Sequence, residues 1–157
     1  MDSISLVPLG GLGEFGMNMM AIECGDDVLV IDAGMALPDA GMFGVDYVLQ
    51  DLTWLVERRD NVRGVVLTHG HEDHIGGLSN LLQHMDVPVY GVDLTLGIAS
   101  SRLRENGVLA SAELHHVDAD SQLDFGSMSV EFINVAHSIP GALAVVIHTP
   151  IGAILHT

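Results

Sequence analysis

Three imidazoles and the carboxylate of Asp73 fall within six residues, His69-Gly70-His71-Glu72-Asp73-His74. Neutral imidazole and carboxylate are the ligands that divalent zinc takes in hydrolytic sites. In a sharp loop, alternate residues converge on one ion while the following pair faces another. The spacing therefore assigns His69 and His71 to one ion, and Asp73 and His74 to a second. Histidines scattered over a surface helix start would not need this density directly after the apolar run Val65-Val66-Leu67-Thr68.

Such a loop has to be presented by a strand that gives way to a helix, and the surrounding chain alternates both kinds of signal. Ile4 to Pro8, Met19 to Glu23, Val28 to Asp32 and Gly64 to Thr68 read as strands. Asp51 to Arg59, Ile75 to Met85 and Leu94 to Asn106 read as helices, and Pro88-Val89-Tyr90 as a short strand. From Glu113 onward ELHHV, QLDF, SMSVEFINV, ALAVVIHT and GAILH are strand-like. The pattern is a layered α/β (α+β) domain with much antiparallel strand.

The opening GGLGEFGMN contains G-x-G-x-x-G after a strand-like run, with Asp32 downstream where a ribose-binding acid would sit. A dinucleotide cradle needs a full crossover helix between its glycines and that acid. Only Met17 to Cys24 is available here, closed by the turn signal Gly25-Asp26-Asp27. The segment reads as an antiparallel meander in which Met19 to Glu23 pairs with Val28 to Asp32.

At these residues the chain resembles the metallo-β-lactamase superfamily. The shared motifs are an Asp after an early strand (Asp32 in VLVIDAG), the H-x-H-x-D-H loop and a later His (His137 in NVAHSIP). The resemblance implies an αββα sandwich, of which residues 1–157 form the N-terminal portion. It also implies that His137 joins His69 and His71 around the first ion, and that Asp32 orients the loop without binding the ion. GGLGEFGMN, GVDYVLQD, LTHGHEDHIGG, HSIPG and the final His156-Thr157 together resemble the ribonuclease J family of β-CASP nucleases. In that family Gly-Asp follows His-Thr and supplies a bridging ligand. A β-CASP domain bearing the RNA surface comes next, and neither is present in residues 1–157. Two positions depart from the family pattern. Gln50 stands where proline is common, which should perturb a turn, and Gly141 stands where an acid is common, which puts one polar contact in doubt.

The resemblance implies metal-dependent hydrolysis of RNA phosphodiesters, internally or from the 5′ end, in RNA processing and decay, including that of ribosomal RNA. Two divalent ions would serve it, zinc first and manganese as the alternative, with Asp73 and His74 closest to the chemistry. The partners implied are RNA, bound through the domains not present, and further copies of the full-length chain in a homo-oligomer. Without the bridging carboxylate, residues 1–157 alone should be a poor nuclease with a weak second ion site. The rivals are a single-domain hydrolase of thioesters or lactones, built on the same metal motif, and an inactive fragment.

Composition narrows the setting. The chain has 157 residues, 48% of them hydrophobic, with mean hydropathy +0.41, which suits one domain with a substantial core. Five arginines, no lysine and 21 acids give a net charge of −16, so repulsion from phosphates is the default. The N-terminal MDSISLVPLGG has neither a basic region nor a long apolar run, and no stretch approaches a membrane span, so the expected setting is cytoplasmic. Cys24 reads as buried packing, and Tyr47 and Trp54 as core anchors. Arg58 and Arg59 read as a solvated face, His84 as a helix-end residue, and His115 and His116 as neighbours on opposite strand faces. His148 and His156 are left outside the metal set.

Overall fold

The computed structural model describes residues 3–157. Met1 and Asp2, which open the N-terminal stretch read as having neither a basic region nor a long apolar run, lie outside the described residues. The strands β1 (Ile4–Gly10), β2 (Met19–Cys24) and β3 (Asp27–Ile31) form the expected antiparallel meander, with Met20 opposite Ile31 and Cys24 opposite Asp27. Gly25 takes φ 61° at the first central position of the two-residue turn, where type II′ hairpins need glycine. No crossover helix separates the glycine loop from Asp32, so the dinucleotide-cradle geometry is absent.

From β3 onward the pairing turns parallel, through β4 (Val62–Val66), β5 (Val89–Gly91) and β6 (Leu114–His116), giving a six-stranded sheet in sequence order. The crossovers carry the helices α1 (Thr53–Val56), α2 (Glu72–Ile75), α3 (Leu78–His84) and α4 (Asp93–Glu105). Strands β7 (Gln122–Phe125), β8 (Met128–Asn134), β9 (Leu143–Thr149) and β10 (Gly152–His156) form a second, antiparallel sheet in the order β10-β9-β8-β7.

Strand β3 explains the layering. Its side chains alternate, so Val28 and Val30 pack with Leu55, Leu78, Leu81 and Leu103 of the helical layer, while Leu29 and Ile31 pack with Phe125, Val130, Val145 and Ile147 of the second sheet. A strand covered on both faces reads as an unbroken apolar run, which is why VLVI shows no alternation. Each of these side chains contributes about 1.5–3 kcal/mol on burial. Asp27 ties the layers at one end, where its Oδ2 accepts from Ser127 N at 2.7 Å and Ser127 Oγ donates to the Cys24 carbonyl at 2.8 Å. Cys24 is buried, as its apolar neighbours imply.

Several local expectations need correction. The helix expected over Asp51 to Arg59 is a single turn, Thr53–Val56, followed by a 3-10 turn at Arg59–Asn61. Asp51 sits outside it as a cap, accepting from Thr53 N at 2.8 Å. The helix expected over Ile75 to Met85 is two pieces broken at Gly76-Gly77, because Gly77 N donates to the Ala33 carbonyl at 2.8 Å and not along a continuous helix. Tyr47 is 52% exposed and anchors no core. Arg58 is not merely solvated, since its guanidinium lies 4.2 Å over the half-buried Trp54 ring and pairs with Glu23 at 3.3 Å. Gln50 does not disturb a turn. It is buried, and its amide donates to the carbonyls of Met17 and Gly34, each at 2.9 Å, stitching the glycine loop to the segment after β3.

Candidate metal centre

The histidine loop leaves the C-terminal end of β4 beside the end of β3, the place where parallel α/β sheets collect ligands. Asp32 adopts φ 60°, a left-handed backbone that is costly for a non-glycine residue and that clusters at functional sites. With that backbone its carboxylate meets Thr68 and His74. Oδ1 accepts from Thr68 N, while Oδ2 accepts from the Thr68 hydroxyl and from His74 Nδ1, all at 2.7 Å. The Thr68 oxygen in turn lies 2.9 Å from His69 Nδ1. The hydroxyl proton goes to Asp32, so Nδ1 of His69 donates to Thr68 and its Nε2 carries the free lone pair. By the same logic His74 keeps its Nδ1 proton and exposes Nε2.

His69 Nε2 lies 3.1 Å from His71 Nδ1, and His137 Nε2 lies 3.2 Å from that same His71 nitrogen. One nitrogen from each ring falls within 4.8 Å of the others. Ligands around a tetrahedral zinc at ~2.0–2.1 Å stand about 3.4 Å apart, so the three nitrogens have the spacing and the chemistry to hold such an ion. Burial, reinforced by the neighbouring histidines, pushes His69 down to about 4, which keeps it neutral and available at ordinary pH. Burial works to lower His74 too, but the hydrogen bond and charge of Asp32 outweigh it and raise the group.

His74 and Asp73 stand beside this trio. The His69 and His74 ring centres are 4.0 Å apart, and His74 Nε2 is 3.6 Å from Asp73 Oδ2. The structure thus brings Asp32, His69, His71, Asp73, His74 and His137 together. Of these His69 and Asp32 are buried, and His137 is exposed on the loop after β8.

The loop is held through its backbone. The carbonyls of Glu72, Asp73 and His74 accept from the amides of Met35, Asn18 and Ala33 at 3.1, 2.9 and 2.8 Å. These approaches depend on glycine, since a Cβ on Gly34 would collide with the Asp73 carbonyl and one on Gly77 with the Gly34 carbonyl. Gly141 has φ 77°, and a Cβ there would lie 2.9 Å from a Val92 methyl, so the acid of the family pattern would be strained on this backbone and would displace Val92.

Two residues at the centre are not singled out for it by the sequence. Asn18, from the glycine loop, places its amide against both Asp73 and His74. The Asn that closes GGLGEFGMN was the available signal. His156, at the end of β10, lines a cavity of about 380 Å³ together with Thr68, His69, His74 and His137, although the sequence reading leaves it outside the metal set. Burial lowers its affinity for a proton. The other histidines stay outside. His115 stacks on Tyr90 and pairs with Glu113, His116 pairs with Asp93, His148 with Glu131, and His84 contacts the Asn80 carbonyl.

A helix–sheet–sheet layering with a histidine cluster at the ends of β3 and β4 defines a class. Residues 12–157 match the metallo-beta-lactamase superfamily, and the chain belongs to it. Among individual proteins it is similar to ribonuclease J 1 of Streptococcus pyogenes serotype M3, 40% identical over 164 residues that cover 100% of this chain and 29% of that protein. Ribonuclease J 2 of Staphylococcus aureus is 38% identical over 154 residues, 98% of this chain and 28% of that protein. The chain therefore spans less than a third of the length of these curated relatives. The metallo-beta-lactamase fold protein YhfI from Bacillus subtilis has the same fold, with TM-score 0.69 and 18% identity over 97% of this chain and 61% of that one. Among the described residues no helix is long and apolar enough to cross a membrane.

Proposed function

We propose that the chain is the metal-binding part of a ribonuclease that hydrolyses RNA phosphodiesters in RNA processing and decay. The observation that carries this reading is the convergence of His69, His71 and His137 on one point, with Asp73 and His74 alongside. The likeness to proteins named ribonuclease J supplies the substrate class. His69, His71 and His137 would hold one divalent ion, and Asp73 and His74 a second. Zinc is the first choice for this donor set and manganese the alternative. Bound ions would supply Lewis acidity and stabilise charge growing on phosphate oxygens.

The protein side chains prepare that chemistry. Thr68 and Asp32 fix the His69 and His74 rings so that each presents Nε2, and burial keeps His69 deprotonated. His156 lines the same cavity as Thr68, His69, His74 and His137. The reading carries with it a cytoplasmic setting and a homo-oligomer in the full-length protein. Activity from the 5′ end, internally, or both is consistent with it.

A small-molecule hydrolase of thioesters or lactones is the competing reading, favoured by the net charge of −16. The natural protein carrying these residues should cleave 5′-monophosphorylated RNA, lose cleavage with EDTA, and lose it again in His71→Ala. Hydrolysis of thioester or lactone substrates without RNA cleavage would overturn the nuclease reading.

A further inference from the structure

Asn18 lies between Gly16 and β2, 55 residues from Asp73 in sequence, yet its Nδ2 is 3.1 Å from Asp73 Oδ2, 3.1 Å from the Asp73 carbonyl and 3.2 Å from His74 Nε2. Its backbone is pinned independently, since its amide N donates to the Asp73 carbonyl at 2.9 Å and its own carbonyl accepts from Gly34 N at 3.0 Å. In the neutral ring, whose single proton sits on Nδ1 facing Asp32, His74 Nε2 is an acceptor like Asp73 Oδ2, and the two lie 3.6 Å apart. Two acceptors at that distance need a donor or a cation between them. The side-chain amide is a neutral double donor. A lysine or arginine there would form a standing ion pair that an incoming cation would have to break, and an aspartate would set two carboxylates against each other.

We propose that Asn18 is a positioning residue for the second ion, its amide holding Asp73 Oδ2 and His74 Nε2 face to face before the ion arrives. This inference rests on the two-ion reading above. Groups that orient metal ligands typically contribute 10–100-fold to metal affinity, and this amide bonds Asp73 and His74 and not His69, His71 or His137, which would hold the first ion.

The test is zinc titration by calorimetry of the natural protein carrying these residues and of its Asn18→Ala and Asn18→Gln variants. The expected result is a second-ion affinity about 10–100-fold weaker in Asn18→Ala, part of it recovered in Asn18→Gln, with first-ion affinity unchanged. In the metal-free chain, the ¹⁵N resonance of His74 Nε2 should move toward that of a bare imidazole nitrogen in Asn18→Ala, a signal that simple loss of stability would not produce. Equal or tighter second-ion binding in Asn18→Ala, or equal weakening of both ions, overturns the proposal. A wild-type natural protein that takes up only one ion overturns instead the two-ion reading on which the proposal stands.

Discussion

Asp32 and His74, 42 residues apart in sequence, meet through a 2.7 Å hydrogen bond from Nδ1 to Oδ2. The same carboxylate also receives Thr68, so one buried side chain sets the orientation of two imidazoles. Asp32→Ala would strand the Thr68 amide and hydroxyl and the His74 Nδ1 proton, at about 1–3 kcal/mol for each buried donor left unpaired. Denaturant unfolding in EDTA should show a loss of at least about 2 kcal/mol, and zinc affinity should fall about 10–100-fold. Unaltered zinc binding in this variant would remove Asp32 from its orienting role.

His137 offers the opposite combination, an exposed side chain with a nitrogen aimed at the cluster. His137→Ala should change metal-free stability by no more than about 0.5 kcal/mol, while tight binding of the first ion is lost. A thermal melt in EDTA beside a zinc titration separates the two effects. Retained tight binding would show that His137 is not a ligand.

Two glycines should respond in opposite senses to the same added methyl group. At Gly34 a Cβ meets the Asp73 carbonyl, so Gly34→Ala should destabilise by about 1–3 kcal/mol and weaken metal binding by shifting the loop. At Gly97, inside α4 with open space around it, alanine should stabilise by about 0.5–1 kcal/mol. Parallel urea titrations would check both signs.

Asp27 makes the acid limb of stability testable. Partial burial works to raise its carboxyl, but the Arg63 guanidinium and the Ser127 hydrogen bonds outweigh this and hold it below the ordinary value of 3.8. A depressed carboxyl contributes stability that is complete above the ordinary value and is lost as pH falls through the lower folded-state value. Asp27→Asn should therefore be less stable than wild type at neutral pH, with the gap closing below about pH 4. Unfolding free energies measured from pH 7 down to pH 2.5 would reveal a constant gap if the tie between the turns is not ionic.

The sequence by itself carried the histidine cluster and the positions of most strands, while the parallel pairing of β3 to β6 became visible only in the fold. Histidine density at H-x-H-x-D-H, the apolar VLVI and VVLT runs and the turn at Gly25 are local signals, and each has a direct structural counterpart. His137 was legible only through the family resemblance, as the histidine after a strand, and the tertiary fold is what sets its nitrogen near those of His69 and His71. Tertiary structure alone decided how that loop is held. The backbone amides of Asn18, Ala33 and Met35 bind three consecutive carbonyls of the loop, and Gln50 ties the segments that carry those amides together through the Gly34 and Met17 carbonyls, 16 and 33 residues away. Such bonds join residues with no shared periodicity, so no local pattern carries them. The break at Gly76-Gly77 has the same cause, because an amide that helix propensity would keep within the helix finds its partner at Ala33. His156 entered the cavity for a related reason. Antiparallel pairing of β10 with β9 places it opposite Val145, and the packing of the second sheet against the first carries that strand end to the cluster.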